Sequence, residues 1–139
     1  MTNPEPPKSN ELPTPDKFYV RPIMAVDPAS GGIVLGEDLK EGTYLTFVLR
    51  EKTWAHQELE ANLQGIRSRL GKQGPGFGFY FNCAGRGSHL YGEPDHDVRL
   101  IRRYLGNFPL IGMSSSFELA PQGDQLAIHG FTGVLALFS

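Results

Sequence analysis

Residues 76–113 read GFGFYFNCAGRGSHLYGEPDHDVRLIRRYLGNFPLIGM, and the fold turns on how this stretch is divided. The opening GFGFYFN is rich in aromatic residues and bounded by turn formers, which predicts a strand over Phe77 to Asn82. From Asp95 to Leu105 the apolar residues Val98, Ile101 and Leu105 recur at three- and four-residue steps, which predicts a helix closed by Gly106. Phe108 to Met113 then reads as a second strand. A strand, a helix and a strand in this order form a βαβ unit, whose two strands run parallel with a right-handed crossover. The segment NCAGRGSHL leaves the carboxyl end of the first strand, the place where ligands bind in parallel α/β units.

Working toward the N-terminus, residues 53–71 carry Ala55, Leu59, Leu63, Ile66 and Leu70 at helical spacing, while Glu58, Glu60, Arg67 and Arg69 fall elsewhere. Thr53 is the expected N-cap and Gly71 the expected stop. Before this helix come three extended runs, FYVRPIMAV, GGIVLG and TYLTFVLR, separated by DPASGG and EDLKEG. They predict three antiparallel strands, because proline presets one turn dihedral and glycine takes the positive φ that other residues resist. In TYLTFVLR, Leu45, Phe47 and Leu49 alternate with Tyr44, Thr46, Val48 and Arg50, giving one more uniformly apolar face.

Residues 1–17 hold proline after proline and little apolar bulk, a composition that cannot offset its ordering entropy, so they read as a disordered lead or linker. The domain is expected to span residues 18–139. Its closing part, SSSFELAPQGDQLAIHGFTGVLALFS, reads as strands around a Pro-Gln-Gly-Asp turn and a bend at His129-Gly130. The whole is expected to be an α+β domain with a mixed, mostly antiparallel sheet, two main helices and one βαβ crossover.

With 139 residues the chain fits a single core, and a net charge of −2 gives no electrostatic footprint for nucleic acid. The longest apolar run, Phe131 to Phe138, is too short for a bilayer, and no apolar leader opens the chain. One cysteine forms no internal disulfide, in keeping with a reducing cytoplasm, the expected location. No phosphate-cradling loop follows a strand, and no cofactor or metal is implied by the spacing of His89 and His96.

Cys83 has two readings. As a nucleophile it needs a nearby cation and a base, and Arg86, His89, His96 and His129 supply candidates; as a strand-end residue it is a small buried hydrophobe. Gly85-Arg86-Gly87 is more pointed, because flanking glycines let the backbone approach a ligand while the guanidinium offers a planar fork to a carboxylate or phosphate. The alternative pairs Arg86 with Glu93 or Asp95 at a surface turn. Asp95 and Asp97 suit a helix N-terminus. Glu118 lies between Phe117 and Leu119 in a predicted strand, so its carboxylate is either paired inside or exposed to water. His129, at a strand end, either donates to a ligand or caps a loop.

The segments NCAGRG, LYGEPDHDVRLIRRYLGNFPLIG and HGFTGVLALF, with VDPASGGIVLGEDLKEGTYLTFVLR upstream, resemble the C-terminal domain of the FIST proteins, an intracellular signal-transduction family. The resemblance implies a non-enzymatic sensory module for a small ligand such as an amino acid. It also implies a FIST N-terminal partner domain and signalling output modules such as kinases or chemotaxis-type receptors. Carried over by position, the Cys-x-Gly-Arg element falls on Cys83, Gly85 and Arg86, a Gly-Glu pair on Phe117 and Glu118, and His-Gly-x-Thr on His129, Gly130 and Thr132. Phe117 departs from the glycine of that pattern, and no N-terminal FIST half stands in the sequence. The expected ligand-binding set is Cys83, Gly85, Arg86, Gly87, Glu118 and His129. A cysteine enzyme built on Cys83, or an interaction module that docks a FIST N-terminal domain, remain the alternatives.

Overall fold

In the computed structural model, which describes residues 19–139, the strand-helix-strand unit is present. Strand β3 is Phe77–Cys83 and β4 is Leu110–Ser115; they run parallel, from Gly78 beside Leu110 to Cys83 beside Ser115. Helix α3, His96–Leu105, lies between them in the chain and ends at Gly106, whose N–H reaches the Arg102 carbonyl. β4 begins at Leu110 instead of Phe108 because Pro109 has no N–H for the ladder. The Pro109 carbonyl instead accepts from the Gly78 N–H at 2.9 Å, and Phe108 turns into the core. The connection leaving β3 contains a 3-10 turn, Ala84–Arg86, and a short helix α2, Ser88–Tyr91.

Strand β7, Gly133–Phe138, pairs antiparallel with the other edge of β3, giving the order β4-β3-β7. β5, Glu118–Gln122, and β6, Gln125–His129, form a separate antiparallel hairpin that turns at Gly123. The architecture is α+β with mostly antiparallel pairing, as the sequence predicts, although the described strands fall into three small sheets.

Helix α1, Lys52–Leu70, is capped by Glu51 and not by Thr53. Glu51 keeps an extended backbone and its carboxylate accepts the Trp54 N–H at 3.1 Å, so Thr53 already stands inside the first turn. Leu63 of α1 and Ile101 of α3 are fully buried, joined by Tyr80, Leu100, Leu105 and Phe108. Leu59, Ile66 and Leu70 of α1 pack against this cluster, which is the stripe the helical spacing predicts.

Because side chains alternate along a strand, Gly78 and Tyr80 face the helices while Phe77, Phe79 and Phe81 face the other way. On that second face Phe77 lies beside Phe138, Phe79 beside Ile111 and Ala136, and Phe81 beside Met113 and Val134. Phe77 stacks on Phe138 at 4.5 Å, yet Phe77, Phe81, Ile111, Met113 and Phe138 all stay exposed.

The chain clusters into two compact units, with the boundary between Val48 and Leu49, and all elements from α1 to β7 belong to the second. Within the first, β1 (Ile23–Asp27) and β2 (Gly32–Leu35) form an antiparallel hairpin. The Asp27 carboxylate accepts from the Ala29 N–H and the Ser30 hydroxyl, which organises the turn. β1 starts only after Pro22, which lacks the N–H a paired strand needs. The third expected strand, TYLTFVLR, is not a strand: residues 43–50 are irregular, and Leu45, Phe47 and Leu49 are exposed. Alternation supplies a face but not hydrogen-bond partners, and no strand among the described residues pairs with this segment. The proline-rich lead expected over residues 1–17 lies outside the described residues.

Candidate functional site

The carboxyl end of β3 delivers the chain into the 3-10 turn, and this turn swings Arg86 back beneath the helices, where it is only 8% exposed. A buried guanidinium requires a partner, and α3 provides one. Asp97 stands on the same helical face as Ile101 and Leu105, and its carboxylate takes Arg86 Nε at 2.8 Å and Nη2 at 3.2 Å. Tyr80 donates its hydroxyl to Asp97 Oδ2 at 2.7 Å, and Arg86 Nη2 also donates to the Tyr91 hydroxyl at 2.8 Å.

These contacts set the protonation states. Burial pushes the Asp97 carboxyl upward, but the hydrogen bonds and charge of Arg86, with the Tyr80 bond, outweigh it and hold Asp97 below its ordinary value. Burial works against the Arg86 charge, yet Asp97 more than compensates and raises its pKa. Tyr80 and Tyr91 are both pushed up, first by burial, so they stay neutral phenols.

Arg86 Nη1 takes part in none of these bonds, and Arg86 lines an open cleft of about 460 Å³ along β3 and β4. Polar groups of Asn82, Gly87, Ser88, Asp95 and Ser114 share the wall. Ser114 donates to Asn82 Oδ1 at 2.9 Å, tying the two parallel strands at the side facing the helices.

The six residues expected to bind a ligand do not gather in one place. Arg86 and Gly87 line the cleft, whereas Cys83, Gly85, Glu118 and His129 are not part of its lining. Cys83, in phase with Phe77, Phe79 and Phe81, belongs to the opposite face of the sheet, is buried, and donates its backbone N–H to the Thr132 carbonyl at 2.9 Å. Glu118 is buried beside it in the fold, accepting from Thr132 Oγ1 at 2.8 Å and Ser115 Oγ at 3.2 Å. His129 pairs with Glu118 across the β5-β6 ladder, and its Nε2 lies 3.2 Å from the Ala120 carbonyl. Gly85 is pressed against Arg50 and Phe131: its carbonyl accepts from Arg50 Nη1 at 2.9 Å, and a Cβ there would meet that nitrogen at 2.6 Å. Among the described residues no histidine hydrogen-bonds to the Cys83 thiol.

Sequence reasoning missed the role of Asp97, reading it as a helix-start acid, and missed Tyr80 and Tyr91 altogether. The signal was available: Asp97 precedes Ile101 by one helical turn, so a carboxylate interrupts the apolar stripe of α3 and needs a buried cation. Glu93 and Asp95, the partners expected for Arg86, do otherwise. Glu93 binds His96 and Arg99, and Asp95 takes the left-handed backbone that opens α3.

The FIST C domain family model matches residues 7–121 of this chain. The chain belongs to the FIST C domain family. It is 33% identical over 121 residues to an uncharacterized protein of Mycobacterium bovis, covering 87% of this chain and 31% of that protein. It is 34% identical over 128 residues to an uncharacterized protein of Mycobacterium tuberculosis, covering 91% of this chain and 33% of that protein. The chain therefore spans about a third of the length of these relatives. The FIST C match takes in the βαβ unit, the whole Arg86–Asp97 cluster and Glu118; His129 and β7 lie beyond it. Among the described residues no helix is long and apolar enough to cross a membrane.

Proposed function

We propose that this FIST C domain is the small-ligand-binding part of an intracellular signal-transduction sensor, and that its ligand is an anionic metabolite of amino-acid size held in the β3-β4 cleft. The observation that carries this reading is the half-occupied guanidinium of Arg86. Asp97 and Tyr91 fix Nε and Nη2, which locks the plane of the fork, while Nη1 makes none of these bonds and Arg86 lines the cleft. A donor held rigid before the ligand arrives loses little entropy on binding. In this reading a ligand carboxylate meets Arg86 Nη1 and the Ser88 hydroxyl, while Asp95 on the same wall receives an amine.

A thermal-shift screen of amino acids and small carboxylates tests this. A 1 mM ligand with a Kd near 10 μM stabilises by about 2.7 kcal/mol. Arg86→Lys keeps a cation beside Asp97 but removes the fork, so its shift is expected to shrink at least several-fold. Equal shifts in both proteins would sink the assignment.

A second reading is favoured by one observation, the exposed row of Phe77, Phe81, Ile111, Met113 and Phe138 on the far side of the sheet. An apolar face of this kind suits docking of another domain, and the FIST N-terminal domain is the partner that family membership suggests. The row meets the cleft at Ile111 and Met113, which line both, whereas Phe77, Phe81 and Phe138 lie outside the cleft lining. An enzyme built on Cys83 gains no support from the surroundings of its thiol.

A further inference from the structure

A pair of histidines, of which His96 also lines the β3-β4 cleft, has an arrangement that neither reading uses. His56 on α1 and His96 on α3 meet between the two helices, with His56 Nδ1 2.9 Å from His96 Nε2. The outer nitrogen of each ring faces a carboxylate. His96 Nδ1 lies 2.7 Å from Glu93 Oε1, and His56 Nε2 lies 4.0 Å from Glu60 Oε2. An ionised carboxylate only accepts, so His96 carries its proton on Nδ1 and, when neutral, presents the Nε2 lone pair to His56. With the single His56 proton on Nδ1 the two rings share an ordinary hydrogen bond of 2.9 Å, and with that proton on Nε2, on the Glu60 side, two lone pairs face each other. In the second tautomer both nitrogens are free to accept a divalent ion in place of the proton.

We infer that His56 Nδ1 and His96 Nε2 are the protein ligands of an exchangeable divalent transition-metal ion, of the class that imidazole suits, with zinc as the probe. A carboxylate behind a metal-binding imidazole is the outer arrangement that fixes the ring and raises its basicity. Zn–N bonds of about 2.0–2.1 Å at a tetrahedral angle put the two nitrogens roughly 3.4 Å apart, so the nitrogens must part by about half an ångström and the rings must turn to aim both lone pairs at the ion. Tyr91 braces the ring from the side, stacked on His96 with centroids 3.9 Å apart. A pocket of about 320 Å³, bordered by Lys52, Thr53, His56, Tyr91 and His96, opens on the pair and has room for the waters that complete the coordination. Among the described residues no cluster of three or more protein ligands exists, so the ion is held by two imidazoles and solvent and exchanges readily. Bound there, it ties the start of α1 to the start of α3.

Zinc titration of the full chain, followed by calorimetry, is the test. The wild type is expected to bind one equivalent saturably. His56→Ala and His96→Ala are each expected to bind at least tenfold more weakly, and Glu93→Gln about tenfold more weakly, through the lost outer bond. His89→Ala, which alters an exposed histidine of α2, is expected to bind as the wild type does. Circular dichroism of each variant separates lost binding from lost fold. Absence of saturable zinc binding to the wild type would overturn the inference. So would unchanged affinity in folded His56→Ala and His96→Ala, or a loss in His89→Ala that matches theirs.

Discussion

At the scale of single residues, Asp97 and Arg86 depend on each other. Removing one member of a buried pair leaves an uncompensated charge among Tyr80, Tyr91 and the α3 core, which costs about 3–5 kcal/mol. Arg86→Ala and Asp97→Ala are therefore both expected to lower the urea midpoint strongly, and the double variant is expected to lose less than the sum of the two. Acid adds a sign. The folded pKa of Asp97 lies below its unfolded value, so its stabilising contribution is complete above roughly pH 4 and is lost as pH falls through the lower folded value. Unfolding curves between pH 2 and pH 6 should show the wild type losing stability below about pH 4, with a shallower slope in Asp97→Asn. The sequence revealed that Arg86 is special but not whom it serves. Its glycine neighbours are local facts, whereas the Asp97 partner depends on where a 3-10 turn and a helix face happen to meet. The same holds for His56 and His96, forty positions apart and joined only by the packing of α1 on α3.

Elements show where pattern suffices and where it does not. α1, β3, α3 and β4 carry spacing that physical periodicity translates directly, and each is found within a few residues of its expected place. The displaced ends have local causes, Pro109 at the start of β4 and the long Glu51 side chain reaching over the first turn of α1. TYLTFVLR has an equally clear alternation and no strand, because pairing is a property of two segments. Close approach between elements is likewise invisible in one segment. A Cβ on Gly112 would overlap the Tyr80 carbonyl oxygen of the neighbouring strand, so β3 and β4 can lie together only with glycine there. Gly112→Ala is expected to destabilise by at least about 2 kcal/mol in denaturant unfolding, the range of severe overpacking. The exposed Ser114→Ala nearby should stay within about 1 kcal/mol, having lost a single hydrogen bond.

For the molecule as a whole, the parallel pair β3-β4 and the turn after β3 explain why the Arg86–Asp97 cluster lies beside the cleft. Tyr80 and Asp97 are buried, the turn carries Arg86 to that carboxylate, and the cleft lies along β3 and β4 beside the start of α3. The other side presents aromatic residues without cover and carries Cys83, Glu118 and His129 at its end. Family resemblance joined Cys83, Gly85, Arg86, Gly87, Glu118 and His129 into one site because they are motif positions, and a linear motif does not say which face of a strand each residue takes. In the proposed reading the cleft takes the small ligand and the exposed aromatic residues take a protein partner, the two meeting at Ile111 and Met113. The central claim, that a small anionic ligand sits against Arg86, is tested most directly by amide chemical-shift mapping with a ligand that raises the melting temperature. The account predicts that shifts concentrate at Arg86, Gly87, Ser88, Asp95 and Ser114 and leave the β5-β6 hairpin unchanged. Shifts centred instead on Glu118 and His129, with Gly87 and Ser88 silent, would contradict it.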